Sequence, residues 1–377
     1  MTKFPARPAA FALALGAGIF ALAAPASAQA TDPAFATFTP KGTPIDHRID
    51  YSIWDEAMKN IVISMGPSTR ETAGRPDPSF GSRRQYGHVS RYRLEGTRVM
   101  FSFLDADVIS SFTEYRRDLE SVADKLDIQS LSRNEQLAYW INLHNVALME
   151  QIANAWPVRQ PREIEIGGVP LDDAKFITVE GVRLSPKDIR TTIVYANWKD
   201  PKVMYGFWRG DIGGPSLQRE AYNAENVGRL LEGSARDFVN SLRGTQKLGS
   251  KLQVSETYLE AAPYFFANFE TDLRSHIATY ADEDVREILA KTDRTEATIA
   301  EHDIADLAGG VREPSYQNVK SDGDPVGFRI PQSMARLLVQ RQNKIEEMIR
   351  RGERTGTVTF SNITLPGEEG EDDGEVD

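Results

Sequence analysis

The residues best suited to chemistry lie in Asn134–Asn145, where one histidine stands among apolar side chains. On a helix, Leu137, Ile141 and His144 share one face, so His144 projects from the apolar stripe toward the core. Trp140 lies one turn before it. Two interpretations stay open. His144 is either a positioned base or ligand-binding group, or a core histidine that neighbouring polar groups satisfy.

A second stretch, Phe207–Ser216, combines two charges with a pair of glycines. Adjacent Gly213 and Gly214 let backbone N–H groups converge on an anion or an oxyanion. Arg209 and Asp211 are two residues apart and flank the same loop. The alternative is a tight turn whose Arg and Asp form a surface pair of little energetic value.

Three other candidates have weaker patterns. Ser216 follows a proline and lacks the G-x-S-x-G context of a serine hydrolase. Asp172 and Asp173 are predicted to lie in a solvated turn. His302, between two acids, is interpreted as part of a helix surface rather than as a metal ligand.

Composition excludes several classes of function. The 377-residue chain has no cysteine, which rules out disulfides, thiolate metal sites and a cysteine nucleophile. None of its five histidines forms a short-spaced pair, so we expect no metal and no cofactor. The net charge of -11 argues against a nucleic-acid partner, because phosphate binding favours a basic surface.

The N-terminus resembles an export signal. Lys3 and Arg7 precede the apolar run Ala9–Ala24, and small residues at 26 and 28 predict cleavage after Ala28. The run is shorter than the ~20 residues of a spanning helix, and no later segment is apolar for long enough. We therefore expect a bacterial periplasmic or secreted protein without a transmembrane helix after signal removal.

Periodicity predicts the elements that position these residues. Helical spacing predicts helices over residues 53–65, 108–126, 133–155, from 186, 223–242, in pieces over 256–306, and 331–351. Short strands are predicted at 92–94 and 99–103 as a hairpin, at 164–166, at 176–184 with a turn at 180–181, and at 203–208. Helices outnumber short strands, which favours an α+β fold in a helix-rich single large domain.

The predicted organisation has five parts. These are a signal peptide (1–28), a region with one helix, a loop and a hairpin (29–104), a core (105–245), a C-terminal helical region (246–366) and a disordered acidic tail (367–377).

The core resembles the family called domain of unknown function 547. The resemblance rests on the helix motif Asn134–Asn145 and on five shorter matches. These are Gly181–Ser185 with Asp188-Ile189, Asp200-Pro201, Gly210, Pro215-x-Leu217 and Ala235-x-x-Phe238-Val239. The family has no settled activity, and the resemblance implies a distant papain-like core.

The chain departs from the family where catalysis would occur. Many members carry Ser-Cys-Pro-Pro-Leu and Ile-Glu-His. At the cysteine and histidine positions this chain has Gly214 and Thr191. A thiolate–imidazolium reaction is therefore excluded. In the family register, the candidate binding pocket comprises Trp140, Asn142, His144, Asn145, Arg190, Arg209, Asp211, Gly213 and Gly214.

Two functions from different classes follow. The first is a non-catalytic binding or scaffold protein of the periplasm, whose partner is a small anionic ligand or an envelope component facing Arg190 and Arg209. The alternative is an envelope-associated hydrolase with His144 as base and an oxyanion site at Gly213 and Gly214. A purely structural envelope protein is a third possibility, and it predicts no sizeable pocket.

Overall fold

The computed structural model describes residues 33–42, 44–75, 86–314, 316–319 and 328–353. The predicted signal peptide and the predicted acidic tail lie outside these ranges. No helix within them is long and apolar enough to cross a membrane.

Helices form most of the ordered structure. The α-helices in the described part are α1 (Ser52–Ile61), α2 (Ala106–Lys125), α3 (Arg133–Ala155), α4 (Val227–Asn240), α5 (Thr257–Phe265), α6 (Phe269–Tyr280), α7 (Glu283–Ala290) and α8 (Gln332–Arg350). Five short 3₁₀-helices accompany them, at Pro33–Phe38, Phe101–Phe103, Ile128–Ser130, Pro161–Glu163 and Pro201–Gly206. A π-helix spans Asp188–Tyr195.

The strands are short and form small sheets. They are β1 (Val62–Ser64), β2 (Thr97–Val99), β3 (Glu165–Ile166), β4 (Val169–Pro170), β5 (Ile177–Val179), β6 (Val182–Leu184), β7 (Thr245–Leu248), β8 (Lys251–Ser255), β9 (Arg294–Ile299), β10 (Tyr316–Val319) and β11 (Phe328–Pro331). Antiparallel pairs form between β1 and β2, β3 and β4, β5 and β6, and β10 and β11. In the three-stranded sheet β7-β8-β9, β8 and β9 are parallel, because α5, α6 and α7 carry the chain between them.

Helix α3 lies at the centre of the main core. Ser132 caps it by accepting a hydrogen bond from the Glu135 N–H, as the spacing of the two residues predicts. Nearly the whole helix from Glu135 to Ala153 is buried, because the apolar side chains of α2, the π-helix and α4 surround it. The predicted class, a helix-rich α+β single domain, is confirmed.

The predicted hairpin at 92–103 is wrong. β2 pairs with β1, with Val62 opposite Val99, and residues 92–94 form a turn. The physical reason is Arg98, whose fully buried guanidinium donates to the carbonyls of Tyr92, Arg93, Glu95 and Thr97. A side chain thus supplies the donors that a partner strand would have provided.

The predicted strand at 203–208 is also wrong, because the chain forms the 3₁₀-helix Pro201–Gly206. Pro201 at its first position presets φ, and the Asp200 carboxylate accepts a hydrogen bond from Lys202 N–H. A short buried apolar run fits a strand or a helix equally well, so periodicity could not decide.

Other local features also differ from expectation. The first helix ends at Ile61, because Val62–Ser64 pairs as a strand. The helical prediction for 256–306 is wrong at β9, and no element was predicted for β7 and β8. Asn226 rather than Asn223 is the cap of α4, and Ile349, predicted to face inward, is 54% exposed.

Candidate functional site

His144 is fully buried on α3, and both of its ring nitrogens are engaged. Nδ1 lies 3.0 Å from Asn145 Oδ1, and the Arg190 guanidinium Nη1 lies 3.1 Å from Nε2. The ring also packs edge-on against Phe207, with centroids 5.0 Å apart. Since arginine can only donate, Nε2 accepts and Nδ1 carries the proton that it donates to Asn145.

This environment keeps the imidazole neutral. Burial, together with the positive charge of Arg190, lowers the pKa of His144 to about 3. A neutral ring whose only lone pair points at a guanidinium cannot take a proton from a substrate. The geometry therefore favours the structural interpretation of His144 over its use as a base.

Arg190 connects the elements beneath the site. Its Nη1 and Nη2 each donate to Asp172 at 2.7 Å, while Nε and Nη2 donate to Glu260 at 2.9 and 2.8 Å. With the bond to His144, all five guanidinium N–H groups have partners. Arg190 therefore has no donor left for a ligand.

The local fold explains how Arg190 reaches this position. Ser185 and Asp188 satisfy each other's backbone N–H groups at the start of the helical segment, with Pro186 in its first turn. The segment then widens into the π-helix Asp188–Tyr195. Such widened turns are rare and concentrate at functional sites.

Glu260, on α5, joins a second arginine to the network. Arg209 donates to it through Nη2 at 2.6 Å and Nη1 at 3.3 Å. Burial alone would raise the pKa of Glu260, but the charges of Arg209 and Arg190 outweigh it and lower the pKa to about 2. We call Asp172, Arg190, Arg209 and Glu260, together with His144, the charge network; its two cations and two anions balance.

Asn145 places Arg209 in this network. Its Oδ1 accepts from the Trp208 N–H at 3.1 Å, and its Nδ2 donates to the Gly206 carbonyl at 3.0 Å. These bonds fix the chain that leaves the 3₁₀-helix against α3. Arg209 follows directly, so its side chain starts from a rigid backbone.

A cleft of about 300 Å³ opens above the charge network. Buried apolar side chains of Leu148, Leu171 and Ile299 contribute to its walls. Asp172 and Arg209 reach it from the network side, and 45% of the Asp172 side chain is exposed. This combination of apolar wall and polar groups is typical of small-molecule sites.

The glycine-rich loop forms another wall, but its backbone is already in use. The Gly214 N–H donates to Asp211 Oδ1 at 2.8 Å, and the Gly214 carbonyl accepts from the buried Arg243. At Gly213 an added Cβ would lie 2.2 Å from the Glu301 carbonyl oxygen, so only glycine fits there. The predicted oxyanion site therefore lacks one of its two donors.

The outer rim of the cleft is acidic. Asp211, Glu256, Glu301 and His302 line it, and His302 Nδ1 lies 3.9 Å from Asp211 Oδ2. The nearby carboxylate of Asp211 raises the pKa of His302. We call these four residues the acidic rim. In the described ranges, no three His, Cys, Asp or Glu side chains are placed to hold a metal ion.

Not all predicted pocket residues reach the cleft. Trp140 packs against Phe38 and Tyr139 in the core. Asn142 holds the backbone of Tyr222, donating to its carbonyl and accepting from its N–H. Trp140 and Asn142 therefore have structural roles. The predicted residues that line the cleft are Arg209, Asp211, Gly213 and Gly214. Those that support it from below are His144, Asn145 and Arg190.

Sequence reasoning missed or dismissed the partners of these residues. Asp172 lies in a turn, as predicted, with 45% of its side chain exposed, but its carboxylate also pairs with Arg190, which the sequence did not indicate. His302 is not on a helix; it follows β9 and faces Asp211. Glu260 gave no signal, because a single Glu on an amphipathic helix resembles any exposed acid. Ser216 donates to Asp237 and accepts from Arg243, with no histidine partner.

The comparison with protein families defines the class of the central segment. Residues 128–239 match the family described as protein of unknown function, DUF547, which confirms the predicted family over that segment. No curated protein and no solved structure matches the chain, so the papain-like core and the exact domain boundaries stay predictions. The matched segment contains His144, Asp172, Arg190, Arg209 and Asp211. Glu256 and Glu260, at the start of α5 and within it, and Glu301 and His302, which follow β9, lie beyond it.

Proposed function

We propose that the protein is an exported, non-catalytic binding protein of the bacterial periplasm, and that the cleft above the charge network holds a small ligand or an envelope component. One observation carries this proposal. The predicted base lies fully buried under the cleft with both nitrogens engaged, and Arg190 beside it has no free donor. The His144 imidazole below the cleft is therefore fixed and unreactive, while the cleft itself is open to a ligand.

The anionic ligand predicted from the sequence depended on Arg190 and Arg209 as free guanidinium groups. In the folded chain, Arg190 is fully paired with Asp172, Glu260 and His144. Arg209 is paired with Glu260, although its Nε has no hydrogen-bond partner among the described residues. The binding role itself does not depend on the charge of the ligand.

The test has two stages. The mature protein is first isolated from its own periplasm under mild conditions, and any bound compound is identified by native mass spectrometry. N-terminal sequencing of the same sample is expected to give Gln29 or Thr31 as the first residue. A protein that starts at Met1 and remains in the cytoplasm would contradict the export part of the proposal.

The second stage separates binding from catalysis. Esters, peptides and cell-wall fragments are incubated with the wild type, with His144→Gln, and with Arg229→Ala as control. Arg229 forms an exposed ion pair with Glu220 and does not line the cleft. We expect no turnover by any of the three. Turnover that disappears only in a folded His144→Gln variant would overturn the non-catalytic role and establish the hydrolase.

A further inference from the structure

The acidic rim carries an excess of negative charge at the mouth of the cleft. Within the charge network, Asp172 and Glu260 balance Arg190 and Arg209. Outside the network, the ionisable lining groups are the carboxylates of Asp211, Glu256 and Glu301, opposed by Arg162 and His302. With His302 neutral, the rim and Arg162 together carry two net negative charges.

The recorded hydrogen-bond donors to Asp211 and Glu301 are neutral groups. Asp211 accepts from the Gly214 N–H, and Glu301 accepts from the Asp303 N–H and the Ser90 hydroxyl. In the part of the chain that the structure describes, no lysine or arginine nitrogen lies within 4.0 Å of the Asp211, Glu256 or Glu301 carboxylates. While His302 is neutral, the rim therefore presents negative charge that no lysine or arginine neutralises at contact distance.

The walls between these charges are apolar. Leu148, Leu171 and Ile299 are buried and line the same cleft as the rim residues. An aliphatic stem fits against such a surface while its charged end stays near the carboxylates, as lysine side chains do at protein surfaces. A bare metal ion would not use the apolar wall, and no set of three metal ligands is present among the described residues.

We infer that the ligand of the cleft is an organic cation, an aliphatic chain ending in a primary ammonium or a guanidinium group, recognised by Asp211, Glu256 and Glu301. This inference rests on the proposed binding function and gives it a ligand class. It replaces the anionic ligand predicted from sequence with a ligand of opposite charge.

His302 competes with such a ligand for Asp211. The groups that face its imidazole are Asp211 from the glycine-rich loop, Arg162 from the 3₁₀-helix and Glu256 at the start of α5; Glu301 and Asp303 adjoin it in sequence. A protonated His302 neutralises Asp211 and repels an incoming cation. Binding is therefore weaker at low pH and tightens as the pH rises through the pKa of His302.

The experiment measures binding of three matched probes to the mature protein by calorimetry. The probes are the Nα-acetyl methylamides of lysine, norleucine and glutamate, which differ in the charge at the end of the side chain. We expect the lysine probe to bind about tenfold or more tightly than the norleucine probe, and the glutamate probe to bind least. Glu256→Gln and Asp211→Asn should each weaken lysine-probe binding several-fold.

Two variants complete the design. Glu220→Gln removes an acid of the exposed Arg229 pair and should leave the affinity unchanged. His302→Gln should flatten the pH dependence between about pH 5 and pH 8, while the wild type binds more tightly at the upper end. Both are expected to fold, because the substituted side chains are partly exposed.

The outcomes separate the two proposals. Equal binding of the lysine and norleucine probes, or preference for the glutamate probe, overturns the cation inference but keeps a binding cleft. Absence of binding by all three probes also counts against the inference. If, in addition, no compound co-purifies from the periplasm, the binding function itself is contradicted.

Discussion

The charge network and the acidic rim adjoin in space but differ in how their charges are satisfied. In the network, every guanidinium N–H of Arg190 has an acceptor, and the opposite charges are equal in number. In the rim, Asp211, Glu256 and Glu301 have only neutral partners or none among the described residues, and His302 is one-third exposed.

This difference shows which charges serve the fold and which are available to a ligand. Buried charges are costly unless paired, so each ion of a network below the surface needs a partner of opposite charge. Charges at an open mouth remain hydrated and cost little to leave unpaired. Unpaired carboxylates at a cleft mouth are therefore better candidates for recognition than the buried arginines that the sequence emphasised.

Removing Arg190 should have the largest effect. Arg190→Ala leaves the carboxylates of Asp172 and Glu260 without their shared cation, and we expect a loss of about 3–5 kcal/mol in the free energy of unfolding, as for other broken buried ion pairs. Chemical denaturation followed by circular dichroism measures it.

The matched control for that substitution is Arg229→Ala. Arg229 is also paired with a glutamate, Glu220, but the pair is exposed, so we expect a change of at most about 1 kcal/mol. Equal losses in the two variants would mean that the network is not a buried structural unit, and the contrast with the rim would fail.

Much of the fold could be predicted because its signals are local. The spacing of apolar residues located α2 and α3, and the Ser132 and Glu135 pair located the start of α3. The sheet β7-β8-β9 could not be predicted in the same way. Its parallel pair joins Lys251–Ser255 to Arg294–Ile299 across three helices, and no local pattern records such a contact.

The residues of the candidate site also fall into those that a local sequence pattern indicates and those that it does not. The helix motif gave His144 and Asn145, and the glycine-rich loop gave Arg209 and Asp211, because unusual residues cluster there in sequence. Glu260 is isolated in the sequence and reaches the site only through tertiary contacts. The charge balance of the cleft depends on such distant acids, which no local sequence pattern brings together.

The loss of stability on acidification should reveal the role of Glu260. We expect this loss to lie between the effects of Arg190→Ala and Asp211→Asn on the free energy of unfolding. Its pKa is lowered from a usual value near 4.5 to about 2, so its stabilising contribution is present above pH 4.5 and is lost as the pH falls toward 2. The contribution is about 3–4 kcal/mol. Glu260→Gln should be less stable at neutral pH but should lose less further stability over this interval, as measured by denaturation at several pH values. Parallel acid profiles of the two proteins would refute this assignment.

Asp211→Asn should have the smallest effect on stability, and it tests the rim directly. The amide oxygen of Asn still accepts a hydrogen bond from the Gly214 N–H. The attraction between Asp211 and His302 is lost, but both side chains are partly exposed and solvent screens it. We therefore expect the free energy of unfolding to change by less than about 1 kcal/mol. The substitution should change the pKa of His302 more clearly than the free energy of unfolding, because the charge of Asp211 raises that pKa. NMR titration should show the pKa of His302 falling in the variant, while His144 stays neutral in both proteins over the same pH range. If His302 titrates identically with and without the Asp211 charge, the two side chains are not coupled, and the competition between His302 and a cationic ligand has no basis.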